Sequence, residues 1–266
     1  MTPKKKRRKW SRTYEQAKIG IWNCWSLSNE RYQYCEALNY DILGLTELHN
    51  AQTKFQGRRW ICSAAAEMDK DGRSTDPAAG VAIMLSARMA DKVVSEGRVG
   101  TRIAWVRIKG PVCNIFFIVV YIPHKGRQQK PRAQDTIAQL KCLLQSIRKS
   151  DCVVLGGDFN CQLQRNVPGC TGQWCMTEKP NKNGHGDEIL SLLREYDLCA
   201  VDTYFKPAKK TMAGHTTKMQ CNVHSEGKHE EADKAGLPMR LEQMEINDIG
   251  LQSPMGTSDS PLRPSV

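Results

Sequence analysis

The chain has 266 residues, 40% of them hydrophobic and 25% charged, with a formal net charge of +11 and 11 cysteines. Its length and apolar content suffice for one substantial core, which fits a single domain of sandwich or α/β type with tails. The longest apolar run, Ile115 to Ile122, falls far short of the roughly 20 residues a membrane-spanning helix needs. No charged-then-apolar leader opens the sequence, so a soluble, intracellular protein with no membrane partner is expected. The cysteines are odd in number and lack CxxC pairs. Cys24, Cys113, Cys152 and Cys199 lie within apolar stretches, where a thiol behaves as a small hydrophobe, so reduced core thiols are the expected state.

The charge is unevenly placed. Lys4, Lys5, Lys6, Arg7, Arg8, Lys9 and Arg12 fall within the first twelve residues, which hold no acid, leaving +4 for the rest. Residues 1–16 therefore read as a disordered basic arm. Such an arm is either a solubilising tail or a nuclear-import signal and phosphate-contacting segment.

Taken in order, Ala17 to Asn23 reads as a buried strand. A helix follows, with Ser28 as its cap and Tyr32, Cys35 and Leu38 on one face. Asp41 to Glu47 is a second buried strand ending on a carboxylate. Strands are then predicted at Trp60–Ser63, Gly80–Ser86, Lys92–Glu96 and Arg102–Lys109, with the polar stretch 68–79 as an exposed connection. In Arg102–Lys109, Ala104, Val106 and Ile108 alternate with Trp105, Arg107 and Lys109, which predicts a sheet with one wet face.

Asn114 to Ile122 is apolar on both faces, as in a central strand covered on both sides. Pro131 opens a helix with Ile137, Leu140, Leu144 and Ile147 on one stripe. Asp151–Asp158 is a buried strand, Asp187–Tyr196 a helix, and Leu198–Tyr204 a further strand. Beyond about residue 210 no periodicity persists, so 17–210 reads as the domain and 211–266 as an irregular tail. His215, Cys221, His224 and His229 fall in that tail with a spacing that matches no common zinc finger.

Two parts of the chain repeat a plan of strand, helix, strand, and each ends its strands on polar groups. These are Asn23 and Glu47 in the first and Tyr121, Asp158 and Asn160 in the second. If the two units face each other, two carboxylates, two amides and a phenol meet in one cleft. An oxygen-rich set of this kind suits Mg²⁺ (or Mn²⁺), which takes one or two carboxylates and keeps waters and phosphate oxygens.

The order WNC at 22–24, LTEL at 45–48, VYIP at 120–123 and GGDFN at 156–160 resembles the endonuclease/exonuclease/phosphatase family, and within it the endonuclease domains of non-LTR retroelements. The resemblance covers about residues 17–210. It implies a four-layered α/β sandwich, two mixed sheets packed face to face with helices outside, here C-terminally incomplete.

It also implies roles. Glu47 would ligate the metal with Asn23 beside it, Asp158 would orient and activate the attacking water, and Asn160 and Tyr121 would hold the scissile phosphate. The implied partner is nucleic acid, DNA in the retroelement reading, contacted by the arm residues Lys4 to Lys9 and by Lys125, Arg127 and Lys130.

The family's two closing motifs, an aspartate in an apolar strand and a Ser-Asp-His, have no clear counterpart. No histidine here follows an aspartate, and Asn247–Ile249 and Ser258–Ser260 carry only a faint likeness. Missing closing strands would leave apolar surface and an unpaired sheet edge exposed. Three functions stay open at this level: a metal-dependent DNA-nicking endonuclease, a non-catalytic nucleic-acid binder, and a related repair nuclease, deadenylase or phosphatase.

Overall fold

The continuous apolar runs of the sequence become the middle of two sheets. In the computed structural model the described residues are 17–49, 59–62, 80–111, 113–124, 129–175 and 185–206, with short strands at 215–216, 223–224 and 242–245. The first sheet holds β1 (Lys18–Asn23), β2 (Ile42–Thr46), β3 (Arg59–Cys62), β4 (Val81–Leu85) and β11 (Glu242–Glu245) in the order β11-β1-β2-β4-β3. Within it β1 and β2 run parallel, and the other pairings are antiparallel.

The second sheet is β5-β6-β7-β8, formed by Val93–Val99, Ile103–Ile108, Ile115–Tyr121 and Cys152–Asp158, with only β7 and β8 parallel. Both parallel pairs are joined through a helix, α1 (Asn29–Ala37) in the first and α3 (Lys130–Ser146) in the second. Ser28 caps α1, its Oγ accepting from the Arg31 amide, as the sequence predicts.

Side-chain alternation assigns the layers. Ile19, Ile21, Ile42, Val81, Ile83 and Leu85 of the first sheet meet Ala104, Val106, Ile108, Phe117, Val119 and Val154 of the second in a buried core. The opposite face of the first sheet, with Trp22, Leu43, Leu45 and Met84, packs on Cys35, Tyr32 and Leu38 of the α1 region. On the outer face of the second sheet Phe116, Ile118, Val120 and Leu155 pack on Leu140 and Leu144 of α3 and on Ile189 and Leu193 of α4 (Gly186–Glu195). The result is helix, sheet, sheet, helices: the four-layered α/β sandwich expected.

Gly44 sets the spacing between the sheets. A Cβ there would lie 2.7 Å from Ile21 Cδ1, 3.1 Å from Val119 Cγ2 and 3.2 Å from Phe117 Cζ. Gly44→Ala therefore overpacks the central core and is expected to cost about 2 kcal/mol, read as a lower urea midpoint with an unchanged slope.

Two expectations are corrected. The second face of β6 is not wet: Trp105 stacks on Phe116 with ring centroids 4.9 Å apart, and Arg107 is buried. Its guanidinium grips Asp151 through Nε at 2.7 Å and Nη2 at 2.8 Å. Leu198–Tyr204 is not a strand but turns into a 3₁₀ helix, Val201–Tyr204. There the Thr203 hydroxyl donates to Ala200 O and accepts from the Gly172 amide, both at 2.6 Å, so local side-chain bonding replaces a ladder. A four-residue helix, α2 (Ala87–Ala90), capped by Ser86, follows β4.

Short strands are described within the stretch 211–266. It carries the antiparallel pair β9 (His215–Thr216) and β10 (Val223–His224), and its β11 pairs with β1 from Lys18↔Glu245 to Ile21↔Glu242. β1 is thereby paired on both sides, with β2 and with β11. The basic arm, the connection at 68–79, and Lys125 and Arg127 lie outside the described residues. Nine cysteines have described side chains, and all nine are free thiols. Among the described residues no helix is long and apolar enough to cross a membrane.

Candidate active site

Because β1 with β2 and β7 with β8 are parallel pairs, all four strands end at one rim, where β4 and β6 begin. A chain of backbone hydrogen bonds runs along it. Cys24 and Ser26 donate to Thr46 O and Glu47 O at 3.0 and 2.8 Å, and Leu48 donates to Gly80 O at 3.1 Å. Gly80 then crosses to the second sheet by donating to Thr101 O at 3.1 Å. Tyr121 donates to Arg102 O at 3.0 Å, and Ile122 to Asp158 O at 2.8 Å. Gly80 has φ +105°, and a Cβ there would sit 3.2 Å from Leu48 Cβ, so glycine suits this crossing.

The sequence-predicted residues converge on this rim. Asn23 closes the gap between the sheets: its Nδ2 donates to Asp158 Oδ2 at 2.9 Å, and its Oδ1 accepts from the Trp25 amide at 3.2 Å. Asp158 is 1% exposed, and its other oxygen accepts from the Asn160 amide at 3.0 Å. Asn160 donates from Nδ2 to Ile122 O at 2.9 Å, and its Oδ1 is buried without a hydrogen-bond partner. Glu47 is 6% exposed, with Oε2 3.5 Å from His49 Nε2, at the outer limit of hydrogen bonding.

Glu47, His49 and Asn160 all take left-handed backbone angles, with φ of 55°, 55° and 45°. Asparagine tolerates this; for Glu47 it stores roughly 1–2 kcal/mol, held by the backbone bonds on either side.

The electrostatics follow from burial. Burial, then the neighbouring Asp158 charge, pushes the Glu47 carboxyl up to about 7, opposed by its hydrogen bond from Asn23. Burial also raises Asp158, against the Asn160 amide, the Asn23 side chain and His124. Tyr121 is raised by burial and by both carboxylates, so it stays a neutral phenol. His49 is lowered by burial and by Arg31, which keeps its ring neutral beside Glu47.

Two carboxylates that both resist ionisation mark a site short of positive charge. The donors available are hard oxygens: Glu47, Asp158, the orphaned Asn160 Oδ1 and the buried, unpartnered Thr46 Oγ1. No group of three or more His, Cys, Asp and Glu able to hold a metal occurs among the described residues. Two carboxylates and two neutral oxygens fit Mg²⁺, which retains waters, and do not fit zinc.

Sequence reasoning missed several neighbours. Thr46 continues the inward face of Ile42 and Gly44, a period-2 signal present in LTE. Arg31 Nη1 binds the carbonyls of Cys24, Trp25 and Ser26, fixing the loop after Asn23 where Trp25 and Ser26 have positive φ. His49 and His124 flank the two carboxylates from loops, where no periodicity points to them.

Residues 20–200 match the sequence model of the Endonuclease/Exonuclease/phosphatase family. Craniofacial development protein 2 of Bos taurus is 24% identical over 203 residues, covering 74% of this chain and 33% of that protein. The chain thus spans about a third of that relative's length. Among solved structures, the endonuclease domain of TRAS1, a telomere-specific non-LTR retrotransposon, aligns over 68% of this chain and 73% of its own at 16% identity, with a TM-score of 0.46. The catalytic domain of Xenopus laevis APE2 aligns over 55% of this chain and 59% of its own at 16% identity, also with a TM-score of 0.46.

Proposed function

This chain belongs to the endonuclease/exonuclease/phosphatase family, and we propose that its rim site is a Mg²⁺-dependent phosphodiesterase centre that nicks DNA in the manner of non-LTR retroelement endonucleases. One observation carries the reading: the Asn23–Asp158 bond at 2.9 Å joins the two sheets and sets Asp158, close enough to raise Glu47, among buried oxygen atoms. The retroelement branch rests on the order of the four motifs, WNC, LTEL, VYIP and GGDFN.

Glu47, Asn23 and Asp158 would hold the cation, which when bound supplies charge neutralisation at the phosphate oxygens. The chain's own groups do the rest. Asp158, buried and raised, is a carboxylate able to accept the proton of a water attacking phosphorus; the P–O bond opposite breaks with its electron pair going to the leaving oxygen, which takes a proton from solvent. The neutral Tyr121 phenol donates to a non-bridging oxygen, and the second N–H of Asn160 does the same. Residues 17–210 form the catalytic unit in this reading, and the Lys4–Lys9 block is its nuclear-import or phosphate-contacting arm.

A second reading, binding without cleavage, is favoured by the absence of any Asp-His pair in the sequence. One positioned acid-base group supplies roughly 10²- to 10⁴-fold in rate. Supercoiled plasmid incubated with the full chain separates the two. Nicked circles that need Mg²⁺ and vanish in Glu47→Ala support the hydrolase. Salt-sensitive binding by folded protein with no Mg²⁺-dependent nicking overturns it in favour of the binder.

A further inference from the structure

Thr171, in the loop after β8, forms a parallel bridge with Ala200, the residue before the 3₁₀ helix. The Ala200 amide donates to Cys170 O at 2.8 Å, which brings Cys170 alongside Cys199 as the next facing pair. Facing residues on paired strands have Cα atoms about 5 Å apart, inside the roughly 4.4–6.8 Å that a disulfide spans. Electrostatics place the two sulfurs together as well. The Cys199 thiol is pushed up by burial first, then by Cys170, Asp197 and Asp202. The Tyr204 phenol is raised by burial, then by Cys199 and Cys170, so both sulfurs lie near one ring.

Both thiols are free, and their exposure differs. Cys170 is 3% exposed, in the core that α3 and α4 share, whereas Cys199 is half-buried. An open cavity of about 400 Å³ adjoins the pair, lined by Pro168, Gly169, Thr171, Gly172 and Tyr204. The first four flank Cys170 in sequence on both sides. The backbone here is braced, since the Gly172 amide donates to Thr203 Oγ1 at 2.6 Å and the Trp174 amide to Thr203 O at 2.9 Å. A pair already within range on a braced backbone closes with little rearrangement.

We propose that Cys170 and Cys199 are a reversible disulfide site whose oxidant is a small disulfide of the glutathione class. The Cys199 thiolate attacks one sulfur of glutathione disulfide; the S–S bond breaks, and one glutathione leaves as thiolate and takes a proton. The Cys170 thiolate then attacks the Cys199 sulfur and expels the second glutathione. Two cysteines are oxidised, one glutathione disulfide is reduced to two glutathiones, and the two cysteine protons end on them. Because Cys199 is raised, little thiolate is present at neutral pH and the first step is slow. The pairing is independent of the chemistry at the rim.

The test uses the full wild-type chain, folded and without denaturant, incubated at pH 8 with excess glutathione disulfide, then alkylated and mapped by mass spectrometry. The expected product links Cys170 to Cys199, lowers the summed mass of the joined peptides by about 2 Da and reverts with dithiothreitol. Cys24 and Cys35, neighbours that are each 0% exposed, are expected to stay reduced. Cys170→Ser is expected to stop at the mixed disulfide on Cys199, a gain of about 305 Da there, and Cys199→Ser to leave Cys170 unmodified. A folded wild-type chain that acquires no Cys170–Cys199 link overturns the proposal, as does a link that forms only in urea or joins Cys170 to Cys175 instead. The deciding map needs no variant, so it stands even where a substitution prevents folding.

Discussion

Replacing Glu47 by glutamine is expected to stabilise the metal-free protein at pH 8 and to abolish its nicking. The carboxyl of Glu47 is pushed from 4.5 up to about 7, by burial first and by Asp158 second. A carboxyl raised on folding contributes most below its unfolded value; stability then falls as pH rises from about 4.5 to 7 and stays low above that. At about 1.4 kcal/mol per tenfold change in proton affinity, the ionised Glu47 costs the fold roughly 3 kcal/mol at pH 8. The neutral amide of the Glu47→Gln variant carries no such cost.

Urea melts in EDTA should therefore coincide at pH 4 and separate toward pH 8, with the variant more stable. Added Mg²⁺ should stabilise wild type alone. Nicking should fall by a factor on the order of 10³, several kcal/mol of charge stabilisation at the phosphate. Equal melts at pH 8, or retained nicking, would show that Glu47 is not the strained ligand of a cation site.

Gly157→Ala should destabilise the fold severely. Gly157 lies in β8 opposite Val120 with φ +144°, and a Cβ there would fall 1.8 Å from Val120 O. Backbone on a central strand cannot move aside, so the cost is about 4 kcal/mol or more against a typical domain stability of about 5–15 kcal/mol. Gly169→Ala is the control: its φ of +73° is also left-handed, but nothing lies within 4 Å, and it should cost about 1 kcal/mol. Soluble yield and thermal melts of the pair read this directly. Comparable behaviour of the two variants would refute a steric role for the second glycine of GGDFN.

The strands that carry the site were legible because both their faces are covered. β2, β7 and β8 are buried nearly throughout, which leaves unbroken apolar runs that end on Glu47, Tyr121 and Asp158. The misreadings have equally physical causes. Trp105 and Arg107 look like a wet face, yet an aromatic stack and a two-point ion pair bury them. Leu198–Tyr204 alternates like a strand, but the Thr203 hydroxyl satisfies the backbone locally. The sequence EQME of β11 has little strand character of its own, and it forms on the open edge of β1.

The chain of amide-to-carbonyl bonds from Cys24 through Gly80 to Asp158 makes the rim a frame built from main chain. Its amides should exchange with deuterium only on cooperative opening of both sheets together. A frame of that kind is already organised before substrate arrives, so little binding energy is spent on ordering it. It also uncouples chemistry from architecture: exchanging a side chain at Asn23 or Tyr121 alters what the cleft does while its outline persists. Such a scaffold can change reactants, or lose its reaction altogether, and still look the same.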